Sequence, residues 1–122
     1  MKTEPKQVIV IRKDLNMRKG KMVAQGAHAA MAAVLKNGML VTKSDPLEEW
    51  LSGRFTKICV SVNSEEELLA VYQKAREAGI LCSLITDAGL TEFNGVPTKT
   101  CCAIGPDYPD KIDPITKDLK LL

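Results

Sequence analysis

Basic side chains are concentrated at positions 12–21, where five of the ten residues are Lys or Arg. They precede a predicted helix, and because the N-terminus of a helix favours anions, this clustering does not stabilise the helix itself. A phosphate bound there would remove the electrostatic conflict, and Gly20 would let the backbone approach such a ligand closely. Runs of this kind are more often solvent-exposed loops. The basic run therefore indicates either a phosphate site or a solvated loop.

Three polar residues extend this candidate site along one face of the predicted helix. Lys21, Gln25 and His28 are spaced at i, i+4 and i+7, so their side chains share a face. A single histidine is usually structural or exposed, so only the shared face makes His28 a candidate. The face is distinct from an apolar stripe that is expected to pack on the core, formed by Val23, Ala27, Ala30, Met31 and Val34.

A carboxylate follows the third predicted strand. Asp87 precedes an Ala-Gly dipeptide, a sequence that suits an Asx-type turn. It also suits a functional pair with Lys21, since the cation would keep the carboxylate ionised and the carboxylate would position the ammonium. Thr91 and Thr98 flank the same loop and could hydrogen-bond either partner or an attacking water. Both interpretations of Asp87 stay open at the level of sequence.

Other catalytic machinery is absent from the sequence. There is no Gly-x-Ser-x-Gly elbow, no P-loop and no Gly-x-Gly-x-x-Gly fingerprint. The four cysteines and one histidine lack the spacing of a zinc or redox site, so no cofactor and no metal are expected. The thiols are expected to be free and buried. A hydrolase built from these residues would need water as its nucleophile.

Composition sets wider limits on the class of protein. The 122 residues fit one domain, expected to span residues 1–122, and an apolar fraction of 45% is enough for a core. A net charge of +2 does not itself indicate a nucleic-acid binder, so any RNA contact must be local. No run approaches the roughly 20 apolar residues of a membrane span. Since the N-terminus lacks a secretory signal pattern, a cytoplasmic protein is expected.

Strands and helices alternate in the predicted element order. Strands are predicted at 7–12, 56–62, 80–86 and 98–104, and helices at 21–36, near 44–51, at 64–79 and in the tail after residue 112. Asn37-Gly38 is interpreted as the stop of the first helix. The alternation implies right-handed crossovers, and thus a single-domain three-layer α/β/α sandwich around a mixed, mostly parallel sheet of four to five strands.

The fourth strand departs from this alternation. The connection before it, residues 87–97, is too short for a helical crossover, so the strand is expected to pair antiparallel or to lie at an edge. In open α/β sheets, sites form beyond the carboxyl ends of the parallel strands. If the first and third strands are neighbours, the basic run and Asp87 meet in one crevice.

Two blocks of this sequence resemble the signatures of one enzyme family. Residues 14–30 (DLNMRKGKMVAQGAHAA) match D-L-x-M-x-K-G-K-x-x-A-Q-x-x-H-A-A, which opens the archaeal and eukaryotic type of peptidyl-tRNA hydrolase. The second block also matches in order, with DAGLT at 87–91, PT at 97–98, AIGP at 103–106 and LKLL at 119–122. The resemblance extends from Val8 to the last residue. Two multi-residue blocks in the right order are far more specific than a single motif.

The resemblance implies a homodimeric α/β protein that hydrolyses the ester bond of peptidyl-tRNA by metal-independent attack of water. It places in the active centre the residues Lys21, Asp87, Thr91 and Thr98. It places at the bound tRNA the residues Arg12, Arg18, Lys19, Gln25 and His28. The chain departs from the family pattern at Leu90, where members commonly carry Arg, and at Arg18, where Gly is usual.

Two alternatives to this activity stay open from the sequence. One is a non-catalytic tRNA- or RNA-binding module with the same fold, an interpretation that Leu90 favours because it removes a cation beside Asp87. The other is a hydrolase of another small ester that leaves peptidyl-tRNA untouched. An assay of peptidyl-tRNA deacylation separates the peptidyl-tRNA hydrolase from both alternatives.

Overall fold

The structure is a computed structural model that describes residues 4–90 and 92–122. Its strands are β1 Lys6–Arg12, β2 Leu35–Lys36, β3 Met39–Leu40, β4 Lys57–Val62, β5 Cys82–Asp87, β6 Thr98–Asp107 and β7 Lys120–Leu121. Its α-helices are α1 Lys19–Ala32, α2 Asp45–Ser52, α3 Glu65–Glu77 and α4 Pro109–Thr116. A short 3-10 turn, Lys13–Leu15, follows β1. Across the described ranges, no helix is long and apolar enough to cross a membrane.

Five strands form one mixed sheet in the order β5-β6-β1-β4-β7. The predicted α/β class and mixed sheet are confirmed, but the predicted predominance of parallel pairs is wrong. Only β1 and β4 pair in parallel, and the other three pairs are antiparallel. The physical reason is the position of β6. The strands β1, β4 and β5 run in the same direction, as helical crossovers require, but antiparallel β6 inserts between β1 and β5.

Helices cover both faces of this sheet, which confirms the predicted three layers. Along β1, alternate side chains point to opposite faces, as the pleat of a strand requires. Val8 and Val10 join a core cluster with α3 and α4, whereas Ile9 and Ile11 join a second cluster with α1. The helix α3 begins after Ser64 as predicted, but the Glu67 side chain accepts the backbone N–H of Asn63 rather than that of Ser64, so the predicted capping box is only half formed. Its Ser64 hydroxyl accepts the backbone N–H of Glu67 at 3.0 Å.

Small residues determine how α1 packs on the sheet, so the predicted apolar stripe is wrong in part. Val23 is 73% exposed and Met31 is also exposed, while the buried face carries Gly26, Ala29 and Ala30. A Cβ added to Gly26 would lie 3.6 Å from the Ile9 side chain, so the helix approaches β1 closely. The helix packs against β1, β5 and β6. It leaves the β4 side of this face uncovered.

The Asn37-Gly38 dipeptide forms a hairpin turn, and its interpretation as a helix stop is wrong. The helix ends earlier, at Ala32, and the two short strands β2 and β3 pair antiparallel on either side of the dipeptide. Both residues have positive φ, 54° for Asn37 and 78° for Gly38. Two consecutive positive φ values are what a two-residue type I′ hairpin requires, and Asn-Gly is the dipeptide that adopts them most readily.

Candidate active site

The structure brings Lys21 and Asp87 together at the carboxyl edge of the sheet. Asp87 is the last residue of β5, and Lys21 lies in the first turn of α1. The Lys21 Nζ donates to Asp87 Oδ1 at 2.8 Å, and each side chain is only 14% exposed. The strands that lead to them are separated by β6 rather than adjacent, but they point the same way. Both residues therefore reach the same edge.

Three groups of the described residues donate hydrogen bonds to the Asp87 carboxylate. Besides Lys21, the Gln25 side-chain amide donates to Oδ1 at 3.3 Å, and the Gly89 backbone N–H donates to Oδ2 at 2.9 Å. The Gly89 contact is an Asx-type turn, so Asp87 both forms the predicted turn and pairs with Lys21. The bond from Lys21 lowers the pKa of Asp87; burial opposes this shift, and the Gly89 N–H and the charges of Lys21 and His28 add to it. The carboxylate is therefore ionised at neutral pH.

Gln25 connects this pair to the core. Its side chain is 3% exposed, and its Oε1 accepts the hydroxyl of Thr100, which is fully buried. The backbone carbonyl of Gln25 also accepts the thiol of Cys101 at 3.2 Å. A side chain held in this way does not face a bound RNA, so Gln25 lies on the Asp87 side of α1 but inside the protein. Thr100 was not among the residues identified from sequence, although a lone hydroxyl at the start of an apolar strand needs a buried partner.

Arg12 is committed to contacts within the protein. Its Nε and Nη2 donate to the two carboxylate oxygens of Asp14 at 3.1 and 2.7 Å, and its Nη1 donates to the backbone carbonyl of Lys99 at 3.1 Å. The hydrogen-bonded pairing raises the pKa of Arg12 and lowers the pKa of Asp14. The guanidinium thus joins the end of β1 to the start of β6, and it is mostly shielded from solvent. The expected contact of Arg12 with tRNA phosphate does not fit this placement.

The other predicted RNA-facing residues lie at the surface. Arg18, Lys19 and His28 are exposed on α1 or at its N-terminus. The Arg18 Nε lies 3.9 Å from a carboxylate oxygen of Glu92 in the loop that follows Asp87. A positive charge on His28 contributes least among the groups that lower the pKa of Asp87. Lys19 lines the apolar groove between α1 and β4, away from the Lys21–Asp87 pair.

Thr98 faces the pair from the neighbouring strand. It is opposite Asp87 in the antiparallel ladder of β5 and β6, and its hydroxyl donates to the backbone carbonyl of Val96 at 2.8 Å. Thr91 lies outside the residues that the structure describes. The loop itself depends on Gly89, whose φ is 82° and whose Cβ position would overlap the backbone of Val96. Only glycine fits there, so the N–H that binds Asp87 is held in place.

The described ranges hold neither a metal-binding cluster nor a cysteine bonded to the Lys21–Asp87 pair. Within residues 4–90 and 92–122, no cluster of three or more His, Cys, Asp or Glu side chains could hold a metal ion. The four cysteines are free, as predicted. Cys101 and Cys102 are buried, and burial raises the pKa of Cys101 to about 11, so this thiol is not a nucleophile at neutral pH. The predicted burial is wrong for Cys59, which is exposed on β4 at the part of the sheet face that α1 leaves uncovered.

Comparisons with known proteins agree on one family. The family model described as peptidyl-tRNA hydrolase PTH2 matches residues 5–122. A protein named peptidyl-tRNA hydrolase from Methanocaldococcus jannaschii is 50% identical over 119 residues, covering 96% of this chain and 99% of the relative. Proteins of the same name from Methanothermobacter thermautotrophicus and Methanopyrus kandleri are 46% and 42% identical, each over 96% of this chain and 99% and 97% of their own length.

A solved structure of a protein of unknown function from Agrobacterium tumefaciens has a similar fold. The TM-score is 0.63 over 98% of both chains, at 14% sequence identity. At that identity, the likeness concerns the fold alone.

Proposed function

This chain belongs to the peptidyl-tRNA hydrolase family PTH2, and we propose that it hydrolyses peptidyl-tRNA at the Lys21–Asp87 pair. The observation that carries this proposal is the 2.8 Å contact between them. One residue comes from each of the two signature blocks, and the fold brings both to one half-buried position at the sheet edge. The relatives named peptidyl-tRNA hydrolase match nearly the whole chain, so both blocks fall inside the similarity.

Water is the proposed nucleophile. Asp87 accepts a hydrogen bond from the water and directs its lone pair at the ester carbonyl. Because the pKa of Asp87 is lowered, the carboxylate is a weak base, and orientation of the water is its main contribution. Lys21 stabilises the negative charge that develops on the carbonyl oxygen. The ester C–O bond then breaks, one proton of the water ends on the ribose oxygen, the other passes to solvent, and the peptide leaves as a carboxylate.

The neighbouring polar residues position this pair. Gln25, fixed by Thr100, holds the carboxylate at the angle that Lys21 requires, so we assign it a positioning role in place of an RNA contact. The Thr98 hydroxyl donates to Val96, which leaves its oxygen lone pairs to accept a hydrogen bond from the water. Thr91 is proposed to act on the same water, on the basis of the family resemblance alone.

The tRNA backbone is proposed to contact the exposed cations at the N-terminus of α1. Arg18 and Lys19 lie at the N-terminus of α1, where the partial positive charge of the helix also favours phosphate. His28 lies on the exposed side of the same helix. Arg12 is left out of this set because Asp14 occupies its guanidinium. Binding through phosphates should weaken steeply as the salt concentration rises.

We also propose that the chain forms a homodimer through the uncovered apolar face, which is formed by Val23, Met31, Phe55, Cys59 and Leu122. These side chains lie around one groove between α1 and β4, and such continuous exposed apolar surface usually marks an interface. Analytical ultracentrifugation should show a dimer that Val23→Asp dissociates while the circular dichroism spectrum is kept. A wild-type monomer at every concentration would rule the dimer out.

We also propose a cytoplasmic location and a single domain across the chain. A substrate made by ribosomes and four free thiols are consistent with a protein of the cytoplasm. The family match over residues 5–122 is consistent with one domain across the chain.

Deacylation of an N-acetylaminoacyl-tRNA tests the activity itself. The wild-type protein should release the tRNA with multiple turnover, and Asp87→Ala and Lys21→Ala should lose most of that rate with folding intact. Binding of tRNA without release at any protein concentration would instead support the non-catalytic RNA-binding module. Wild-type rates in both variants would show that the active centre lies elsewhere in the protein. The relatives, which are named peptidyl-tRNA hydrolase, favour the hydrolase over either alternative.

A further inference from the structure

An aromatic ring lies against the ammonium group of Lys21. The Lys21 Nζ is over the Phe93 ring, 5.8 Å from the ring centroid, while the same atom donates to Asp87 at 2.8 Å. A cation within about 6 Å of the centroid is attracted by the partial negative charge on the face of the ring. The ammonium is therefore held by a ring as well as by a carboxylate.

The core of the protein fixes the position of this ring. Phe93 packs against the core cluster that Ile9 and Ile11 form with α1. Its backbone carbonyl accepts the N–H of Val96 at 2.9 Å, which closes the loop behind it. Phe93 is the only aromatic residue at positions 88–97, and it is partly buried, whereas Leu90 and Val96 of the same loop are exposed. The loop thus directs its ring inward, onto the start of α1.

The contact between Phe93 and Lys21 is one of two by which this loop meets α1. At the preceding loop position, a carboxylate oxygen of Glu92 lies 3.9 Å from the Arg18 Nε. The Arg18 side chain is 91% exposed, and an ion pair of this length at such a surface contributes little. The half-buried ring is therefore the stronger of the two contacts.

An aromatic face suits the role that is proposed for Lys21. This lysine stabilises the negative charge that develops on the carbonyl oxygen, and a second carboxylate in place of the ring would repel that charge. The ring attracts the ammonium without a formal charge of its own. It also covers the ammonium with apolar surface, and the Lys21 side chain is only 14% exposed. Because water then competes less for the ammonium, its attraction to the oxyanion is stronger.

We infer that Phe93 is a positioning residue, whose ring holds the Lys21 ammonium toward the ester carbonyl, and that turnover depends on the electron density of the ring face. The inference rests on the proposed function, since it takes Lys21 as the group that stabilises the oxyanion. It adds a residue that the ion pair does not include. Phe93 acts through Lys21 and does not itself touch the reacting atoms.

The decisive test replaces Phe93 by phenylalanines that carry one, two or three ring fluorines. Fluorine withdraws electron density from the ring face and changes the volume of the ring little. The kcat for an N-acetylaminoacyl-tRNA should fall stepwise with the number of fluorines, to about 5-fold below the wild type, with KM unchanged. A ring that only fills space would give the same kcat in every member of the series.

Ordinary substitutions supply the rescue and the control. Phe93→Leu keeps an apolar contact with the core but lacks the ring, so kcat should fall by about 5-fold or more. Phe93→Tyr keeps the ring and should restore a kcat close to that of the wild type. The matched control is Tyr72→Leu, because the Tyr72 ring lies at the same 5.8 Å from the Arg76 guanidinium on α3, on the other face of the sheet. Its kcat should equal that of the wild type.

Two results would overturn the inference. One is a constant kcat across the fluorinated series. The other is a loss from Phe93→Leu that is just as large in a Lys21→Met background, which would show that the ring acts through another group. Lys21→Met alone separates this failure from a failure of the proposed function. If Lys21→Met loses most of the rate while the fluorinated series is flat, only the assignment of the ring is wrong. If Lys21→Met keeps the full rate, the catalytic assignment itself is wrong.

Discussion

Two cation–carboxylate pairs lie at the same edge of the sheet, and they differ in how the cation meets its partner. In the Arg12–Asp14 pair, the residues are two positions apart and a planar guanidinium engages both carboxylate oxygens. In the Lys21–Asp87 pair, the residues are 66 positions apart, and a single Nζ–Oδ1 contact joins them while Gln25 and Gly89 bind the same carboxylate. Both pairs lower the pKa of the aspartate.

Because both aspartates have a lowered pKa, a lowered pKa does not by itself identify a catalytic carboxylate. The bidentate pair of Arg12 and Asp14 acts as a clamp that fixes the backbone where β1 ends. The long-range pair instead joins α1, β5 and a loop whose conformation only glycine permits. Its carboxylate lies at the end of β5 and accepts hydrogen bonds from α1 and from the loop that follows β5. Function at this edge follows from that convergence, and the following expectations test it in order of expected effect.

Replacing each aspartate by asparagine should give the largest contrast. We expect Asp87→Asn to lower kcat/KM for peptidyl-tRNA by at least about 100-fold, because the water loses its orienting carboxylate. Asp14→Asn should keep the rate within a few-fold and cost mainly thermal stability, since it weakens the clamp at the end of β1. Deacylation rates and thermal melts of both proteins provide the measurement. Equal losses of activity in the two variants would remove the distinction between the pairs.

Replacing the loop glycine should have an intermediate effect. In Gly89→Ala, the new Cβ overlaps the backbone of Val96, so the N–H that binds Asp87 must move, and we expect a loss of about 10-fold or more in kcat. Gly38→Ala is the matched control, because Gly38 also has positive φ but no atom lies near its Cβ position. That variant should lose about 1 kcal/mol of stability and keep its activity. A fully active Gly89→Ala would show that the Asx-type turn is dispensable.

The pH dependence should show the smallest but most specific change. The pKa of Asp87 is lowered from its ordinary value of 3.8, so the ionised pair persists above that pH and is lost only as the pH falls through the lowered value. In Lys21→Met, the main cause of lowering is absent and burial raises the pKa, so the acid limb of kcat/KM should move to higher pH. Lys21→Arg keeps the charge and should keep the limb low. If the acid limb stays at the same pH in Lys21→Met, then Lys21 does not lower the pKa of the group that controls activity.

The sequence predicts that Lys21 and Asp87 meet if β1 and β5 are neighbours, and that condition is wrong, because β6 lies between the two strands. The two residues are in contact nevertheless, since β1 and β5 run in the same direction and their carboxyl ends share an edge. The order itself was out of reach, since nothing local in the sequence places β6 between β1 and β5. The burial of Arg12 depends on that insertion, because its guanidinium donates to the carbonyl of Lys99 in β6.

The periodic pattern of apolar residues also does not predict which face of α1 packs on the sheet. The apolar stripe at Val23 and Met31 was expected to face the core, but the close approach to β1 at Gly26 turns the small residues inward. Gln25 is buried by the same rotation, next to Thr100. A helix with Ala and Gly on one face and larger apolar side chains on another can bury either face, and only the fold decides which.

A double-mutant cycle on the single-turnover rate tests the central claim most directly. The rates of the wild type, Lys21→Met, Asp87→Asn and the double variant are measured on one N-acetylaminoacyl-tRNA at a pH where Asp87 is ionised. If the two residues act as one unit, each single variant should lose most of the rate, and the double variant should lose little more than the worse single variant. Losses that multiply in the double variant would show that Lys21 and Asp87 act independently, and would contradict the assignment of a catalytic pair.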